Sequence, residues 1–213
     1  MPEDVLLSFE QVVTGHPVIP VVTFSSLDQA LPLADALLEG GIRILEVTLR
    51  SEVGLPAIER ISTERPDITL GAGSVKRPGD IQSVVSAGAR FAVTPGTTLA
   101  MLEEIARWDI ALLPGASTPS EILTLMDFGY YQQKIFPVDH SGGIKYLESL
   151  SGPFPEVHFC PSGGICSNNF LDYLALLNVF CVSGSWMTPT SFVENSNWAA
   201  ITRLALETSR QLA

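Results

Sequence analysis

Short apolar runs recur at intervals of roughly 20–25 residues along this chain, and most of the segments between them carry the apolar spacing of a helix. The runs fall at residues 18–24, 44–48, 68–72, 91–94, 110–113, 134–136, 157–160 and 179–183. They are nearly continuous in aliphatic and β-branched residues, as expected of parallel strands covered on both faces. Amphipathic stretches cover residues 27–39, 52–63, 78–87, 98–107, 119–128 and 168–177, and residues 197–212 read as a closing helix. Gly40 and Gly41 supply a stop after the first stretch, and Pro78 and Pro119 suit first-turn positions. Repeating strand–helix units imply a parallel sheet, and eight of them predict an α/β fold, the closed (β/α)8 TIM barrel, as one domain over residues 1–213. An open doubly wound sheet fits less well, because no G-x-G-x-x-G follows the first run.

Composition narrows the function classes. Hydrophobic residues make up 46% of the chain and charged residues 16%, so a large core is available. The net charge of -11 disfavours nucleic acid and anionic membrane as partners. An anionic metabolite would have to be bound at a local positive site. No apolar run reaches the roughly 18 residues that span a bilayer, and the start reads Met-Pro-Glu-Asp, so a cytoplasmic protein is expected. Cys160, Cys166 and Cys181 form no C-x-x-C pair and read as reduced thiols. His16, His140 and His158 are scattered without zinc-ligand spacing, so no metal is expected.

The chain has three lysines, Lys76, Lys134 and Lys145, and only Lys134 falls inside an apolar strand run. A buried ammonium is costly unless it is paired, deprotonated or used, and a neutral lysine amine attacks carbonyl carbons. A lysine snorkelling from the strand end toward a carboxylate is the alternative. Glu46, Thr48 and Arg50 alternate along one extended segment and so share a face. On their own Glu46 and Arg50 read as charged groups on the rim of a small-molecule site, or else as an internal Glu–Arg ion pair. Ligands of parallel α/β folds sit at the carboxyl ends of the strands. There the sequence places Ser74, Thr94, Pro95, Phe136, Ser162, Gly163, Gly164, Gly184 and Ser185. The serine–glycine segments after the seventh and eighth runs fit a phosphate cradle of backbone N–H groups.

These segments carry a resemblance. Glu46-Val47-Thr48-Leu49-Arg50, Gly71-Ala72-Gly73-Ser74-Val75, Lys134-Ile135-Phe136-Pro137 with Gly142-Gly143, Phe159-Cys160-Pro161-Ser162-Gly163-Gly164-Ile165 and Gly184-Ser185-Trp186 are similar, in order and spacing, to the 2-keto-3-deoxy-6-phosphogluconate (KDPG) aldolases, class I enzymes also called KHG/KDPG aldolases. The resemblance runs from about residue 17 to residue 189. It implies a homotrimeric barrel and cleavage of a 2-keto acid sugar phosphate to pyruvate and glyceraldehyde 3-phosphate, with no cofactor. It makes Lys134 the Schiff-base lysine and Glu46 the acid/base acting through a water. Arg50 becomes the carboxylate fork, Phe136 packs against the imine, and Ser185 touches the sugar phosphate. Ser74 stands where the family usually has Thr. Asp139 and His140 stand where many relatives have a Glu, and they read as a polar loop. Thr23 and Ser25 stand where some relatives carry a basic residue. Aldolases of the same fold acting on 4-hydroxy-2-oxoglutarate or the galactonate epimer remain alternatives, as does a sugar-phosphate-binding barrel that is no aldolase.

Overall fold

Alternate residues of each strand are buried in two different places, which explains why the runs are apolar throughout. The computed structural model describes residues 9–212. Its strands are β1 (Val18–Val22), β2 (Ile44–Thr48), β3 (Thr69–Gly73), β4 (Phe91–Val93), β5 (Ala111–Leu113), β6 (Gly115–Ala116), β7 (Gln132–Ile135), β8 (His158–Pro161) and β9 (Val182–Gly184). All the ladders between them are parallel. Leu45, Val47, Ala92, Phe159 and Val182 belong to one cluster with the helices, whereas Ile19, Ile44, Phe91, Val93, Cys160 and Cys181 belong to a second, interior one. The helices are α1 (Phe9–Val13), α2 (Ala30–Glu39), α3 (Gly54–Glu64), α4 (Asp80–Ser86), α5 (Leu99–Ile105), α6 (Pro119–Asp127), α7 (Gly143–Ser151), α8 (Phe170–Leu174), α9 (Thr190–Glu194) and α10 (Trp198–Gln211).

The closed eight-stranded barrel is corrected by the hydrogen-bonding pattern. Six strands form a half-barrel sheet in the order β5-β4-β3-β2-β1-β9, and a separate three-stranded sheet runs β6-β7-β8. Pro114 is one physical reason. Proline has no N–H to donate to a ladder. The ladder therefore breaks just after the fifth run: β5 pairs with β4, and beyond Pro114 the short β6 pairs with β7. The carbonyl of Leu113 still accepts from Thr94 N–H at 3.3 Å, and that of Pro114 from Lys134 N–H at 2.8 Å. Between β8 and β9 only the single bridges Phe159↔Val179 and Ser162↔Ser183 occur, in place of a ladder.

Local signals set the helix starts. Thr118 caps α6, its hydroxyl accepting from Glu121 N–H at 3.4 Å while the Glu121 carboxylate accepts from Thr118 N–H at 2.9 Å. Ser26 and Gln29 form the same box on a short turn before α2, so the first expected helix begins in two steps. Helices α1, α7 and α9 lie outside the amphipathic stretches read from the sequence. The first and last have 5 residues each, too short for a periodic signal. At the amino end of the strands Phe9 packs edge-on against Phe91 at 5.4 Å and Phe180 at 6.1 Å. Burial of such a side chain contributes about 1.5–3 kcal/mol. The interior is thus apolar at one end, and its polar residues gather at the other.

Candidate active site

Lys134 and Glu46 meet inside the molecule. Lys134 is the third residue of β7, and Glu46 the third of β2. Lys134 Nζ lies 3.7 Å from Glu46 Oε1, with side chains 7% and 2% exposed. That spacing is a Coulombic pair rather than a direct hydrogen bond. Glu46 Oε2 is buried with no hydrogen-bond partner in the protein. A charged pair held this far from water costs several kcal/mol per ion in desolvation, which only part of the mutual attraction offsets. Such a pair is a poor device for stability and a reactive one for chemistry. Gly73 makes room for it: a Cβ there would fall 2.0 Å from Glu46 Oε1. Cys160, paired in register with Lys134, and Cys181 lie in the interior cluster beside the pair. Burial, with Cys160 alongside, pushes the Cys181 thiol well up, so it adds no negative charge.

A cavity of about 640 Å³ opens above the pair. Arg50 and Ser74 form part of its wall, the Arg50 Nε donating to Ser74 Oγ at 3.1 Å. Ser74 holds a left-handed conformation with φ 56°. Pro95 lines the cavity as expected, and so does Phe136, whose ring centroid is 5.5 Å from Lys134 Nζ. Thr94 does not line it. Its side chain is buried and its hydroxyl accepts from Gly115 N–H at 2.9 Å, so it braces the wall from behind. Thr48, although on the Glu46 face, bonds its hydroxyl to that of Thr23 at 2.7 Å. The first strand offers the cavity Val21 and no polar group.

Ser162, Gly163, Gly164, Gly184 and Ser185 form the opposite wall. Gly163 and Gly164 take φ 88° and 89°, and a Cβ on Gly164 would meet Asp139 Cβ at 2.4 Å. Two successive left-handed residues of this kind are accessible to glycine and strained for other residues. The loop is pinned from both sides. Val138 and Asp139 N–H groups donate to Ser162 and Gly163 carbonyls, at 2.8 and 3.2 Å. Asn169 donates its amide to the Gly164 carbonyl at 3.0 Å and accepts from Cys166 N–H at 2.8 Å. Asp139 thus organises this loop, and Asp139 and His140 are both exposed.

The arrangement combines an amine, a carboxylate with an unoccupied oxygen, a guanidinium and a turn of glycines. It can form an imine, move a proton and hold two anionic ends of one small molecule. Among the described residues no group of three or more His, Cys, Asp or Glu side chains is placed to hold a metal. The strand-end reading missed Lys76, Ile165 and Cys166 as wall residues. Lys76 carries no local pattern, because its place depends on how the β3–α4 loop turns back. Trp186 also lines the cavity, stacked on Phe170 at 5.5 Å.

The family model described as KDPG and KHG aldolase matches residues 9–204. The 2-dehydro-3-deoxy-phosphogluconate aldolase of Dickeya dadantii is 45% identical over 200 residues, covering 94% of both chains. The KHG/KDPG aldolase of Escherichia coli K12 is 44% identical over 200 residues, again 94% of each. The KDPG aldolase of Legionella pneumophila, solved with pyruvate captured as a covalent carbinolamine intermediate, is 46% identical. The match covers 92% of this chain and 95% of that one, with a TM-score of 0.90.

Proposed function

The chain belongs to the KDPG and KHG aldolase family, and from that premise we infer that it cleaves 2-keto-3-deoxy-6-phosphogluconate to pyruvate and glyceraldehyde 3-phosphate, in the Entner–Doudoroff pathway. The observation that carries this reading is the buried Lys134–Glu46 pair at the floor of a cavity whose opposite walls suit two anions. Lys134 attacks the C2 ketone and expels water to give an imine. The protonated imine is the electron sink. Glu46, through a water, takes the proton of the C4 hydroxyl, and the C3–C4 bond breaks. The enamine of pyruvate that remains is protonated and hydrolysed. Arg50 and Ser74 hold the carboxylate, and Phe136 packs against the imine. The phosphate rests on the Gly163–Gly164 segment with Ser162, Gly184 and Ser185, bound mainly by backbone dipoles. Pro95 shapes the wall.

Borohydride reduction with pyruvate, followed by peptide mapping, tests the scheme. One reduced adduct on Lys134 is expected. Lys76 is the internal control, because it borders the same cavity but is exposed. An adduct confined to Lys76 or Lys145, or none at all, would sink the assignment.

A second substrate is supported by the family description and the Escherichia coli relative, both of which name KHG. Cleavage of 4-hydroxy-2-oxoglutarate by the same lysine is therefore proposed as a side activity, read out by parallel assays. We also propose a cytoplasmic homotrimer. Large apolar side chains left exposed in one chain, Leu99, Leu123, Phe128 and Leu177 among them, support burial between subunits. No helix among the described residues is long and apolar enough to cross a membrane. Light scattering would report three chains, or else remove that proposal.

A further inference from the structure

Lys76 borders the cavity beside Arg50, and nothing in the scheme above uses it. The two cations share one wall. Arg50 Nε donates to Ser74 Oγ, and its terminal guanidinium nitrogens have no hydrogen-bond partner among the described residues. Two residues beyond Ser74, Lys76 leaves the end of β3. The chain between them is held by Val75, whose side chain is fully buried and whose N–H donates to the Val93 carbonyl at 3.1 Å. The left-handed turn at Ser74 and the Val75 anchor place Ser74 and Lys76 on the same cavity.

Neither cation is neutralised. Among the described residues, no carboxylate lies within ion-pair distance of Arg50 or Lys76. Carboxylates are nearby: Lys76 also borders a smaller cavity of about 240 Å³, behind Ser74, that Glu52 and Asp80 help to line. In a chain with 12 cationic and 23 acidic residues, two unpaired cations on one cavity wall stand out. Like charges side by side repel, and an anion between them removes that cost.

We propose that Lys76 is a second carboxylate-binding cation of the active site, which with Arg50 clamps the carboxylate of the 2-keto acid at the mouth of the cavity. The inference rests on the aldolase reading and deepens it by assigning a further binding residue. Arg50 supplies the directional fork, and Lys76 supplies a mobile point charge. The wall assignment follows from chain position: Lys76 stands on the Arg50–Ser74 side, while the glycine loop stands opposite. Lys76 also offsets the repulsion that a molecule of net charge -11 exerts on an anionic substrate.

The test uses the full-length enzyme and pyruvate, which has the carboxylate and no phosphate. Pyruvate dependence is measured by methyl-proton exchange and by borohydride trapping. In Lys76→Met the pyruvate concentration for half-maximal exchange rises about tenfold at low salt, as for loss of a charged hydrogen bond. The maximal rate stays within about twofold, because the loss is one of binding rather than of chemistry. The difference between variant and parent shrinks as salt is added, since the group is exposed. Lys76→Arg restores most of the affinity. An unchanged pyruvate dependence in Lys76→Met overturns the proposal. So does a penalty seen only with the phosphorylated substrate, which would put Lys76 on the phosphate. A parent enzyme that traps no pyruvate on Lys134 overturns the aldolase reading as well, whereas trapping with unchanged affinity overturns this inference alone.

Discussion

At the scale of single residues, the proposed chemistry rests on two side chains 3.7 Å apart that water scarcely reaches. Lys134→Arg keeps a cation opposite Glu46 but offers no amine for an imine. Activity should fall by at least about 10³-fold with no borohydride adduct, while thermal unfolding shows a folded protein. Glu46→Gln should reduce cleavage by about 10²–10⁴-fold, the usual worth of a positioned acid/base, yet still allow trapping of pyruvate on Lys134. Gly73→Ala drives a methyl into the Glu46 carboxylate, so it should lower turnover and melting temperature together. A melting temperature unchanged in that variant would show that the carboxylate moves aside freely. Lys134 stood out in the sequence because a charge inside an apolar run must be paired, deprotonated or used, and the linked motifs around it favoured use over a snorkelling ion pair. Glu46 and Arg50 were legible because alternate residues of a strand share a face. The bracing position of Thr94 was not legible. A hydroxyl at a strand end reads alike whether it points to a cavity or back to a neighbouring N–H, and the Gly115 backbone decides which.

At the scale of elements, caps and prolines did most of the local work. The box formed by Thr118 and Glu121 starts α6 immediately after the turn that follows β6. Thr118→Ala should cost about 1 kcal/mol, the usual worth of such a cap. For a chain of this size that is a fall of about 2–4 °C in melting temperature with substrate affinity unchanged. A loss of activity before any loss of stability would assign Thr118 a role in the site instead. Pro114 shows how one residue alters an element. The fifth apolar run was visible in the sequence, but a run conceals where its ladder breaks. Pro114, just past that run, cannot donate, and it separates β5 from a further short strand, β6, which pairs with a different neighbour. Helix α7 went unread because it starts at two glycines, Gly142 at its cap and Gly143 in its first turn, which give no helical signal.

At the scale of the whole molecule, stability depends on groups far from the chemistry. His16 precedes β1, and burial, helped by Arg43, pushes its imidazole below the ordinary value near 6.5. The folded chain therefore holds His16 neutral where the unfolded chain already binds a proton. The unfolded state then carries more protons, so stability rises with pH through this window and declines as pH falls below about 6.5. His16→Gln should flatten unfolding profiles between pH 7 and pH 5, measured by denaturant titration. An unchanged slope would show that His16 titrates equally in both states. By itself the sequence determined the places of the eight apolar runs and of seven of the ten described helices and the parallel class of the sheet, and it marked candidates for the chemistry. Those follow from periodicity, from turn residues and from the cost of burying charge, all of which act over a few neighbours. Only the tertiary structure decided how the ladders close, which strand-end hydroxyls face the cavity, and that Lys76 reaches it. These depend on hydrogen bonds and approaches between segments distant along the chain, such as Pro114 with Lys134 and Gly73 with Glu46. A local pattern carries no record of which partner stands across the gap.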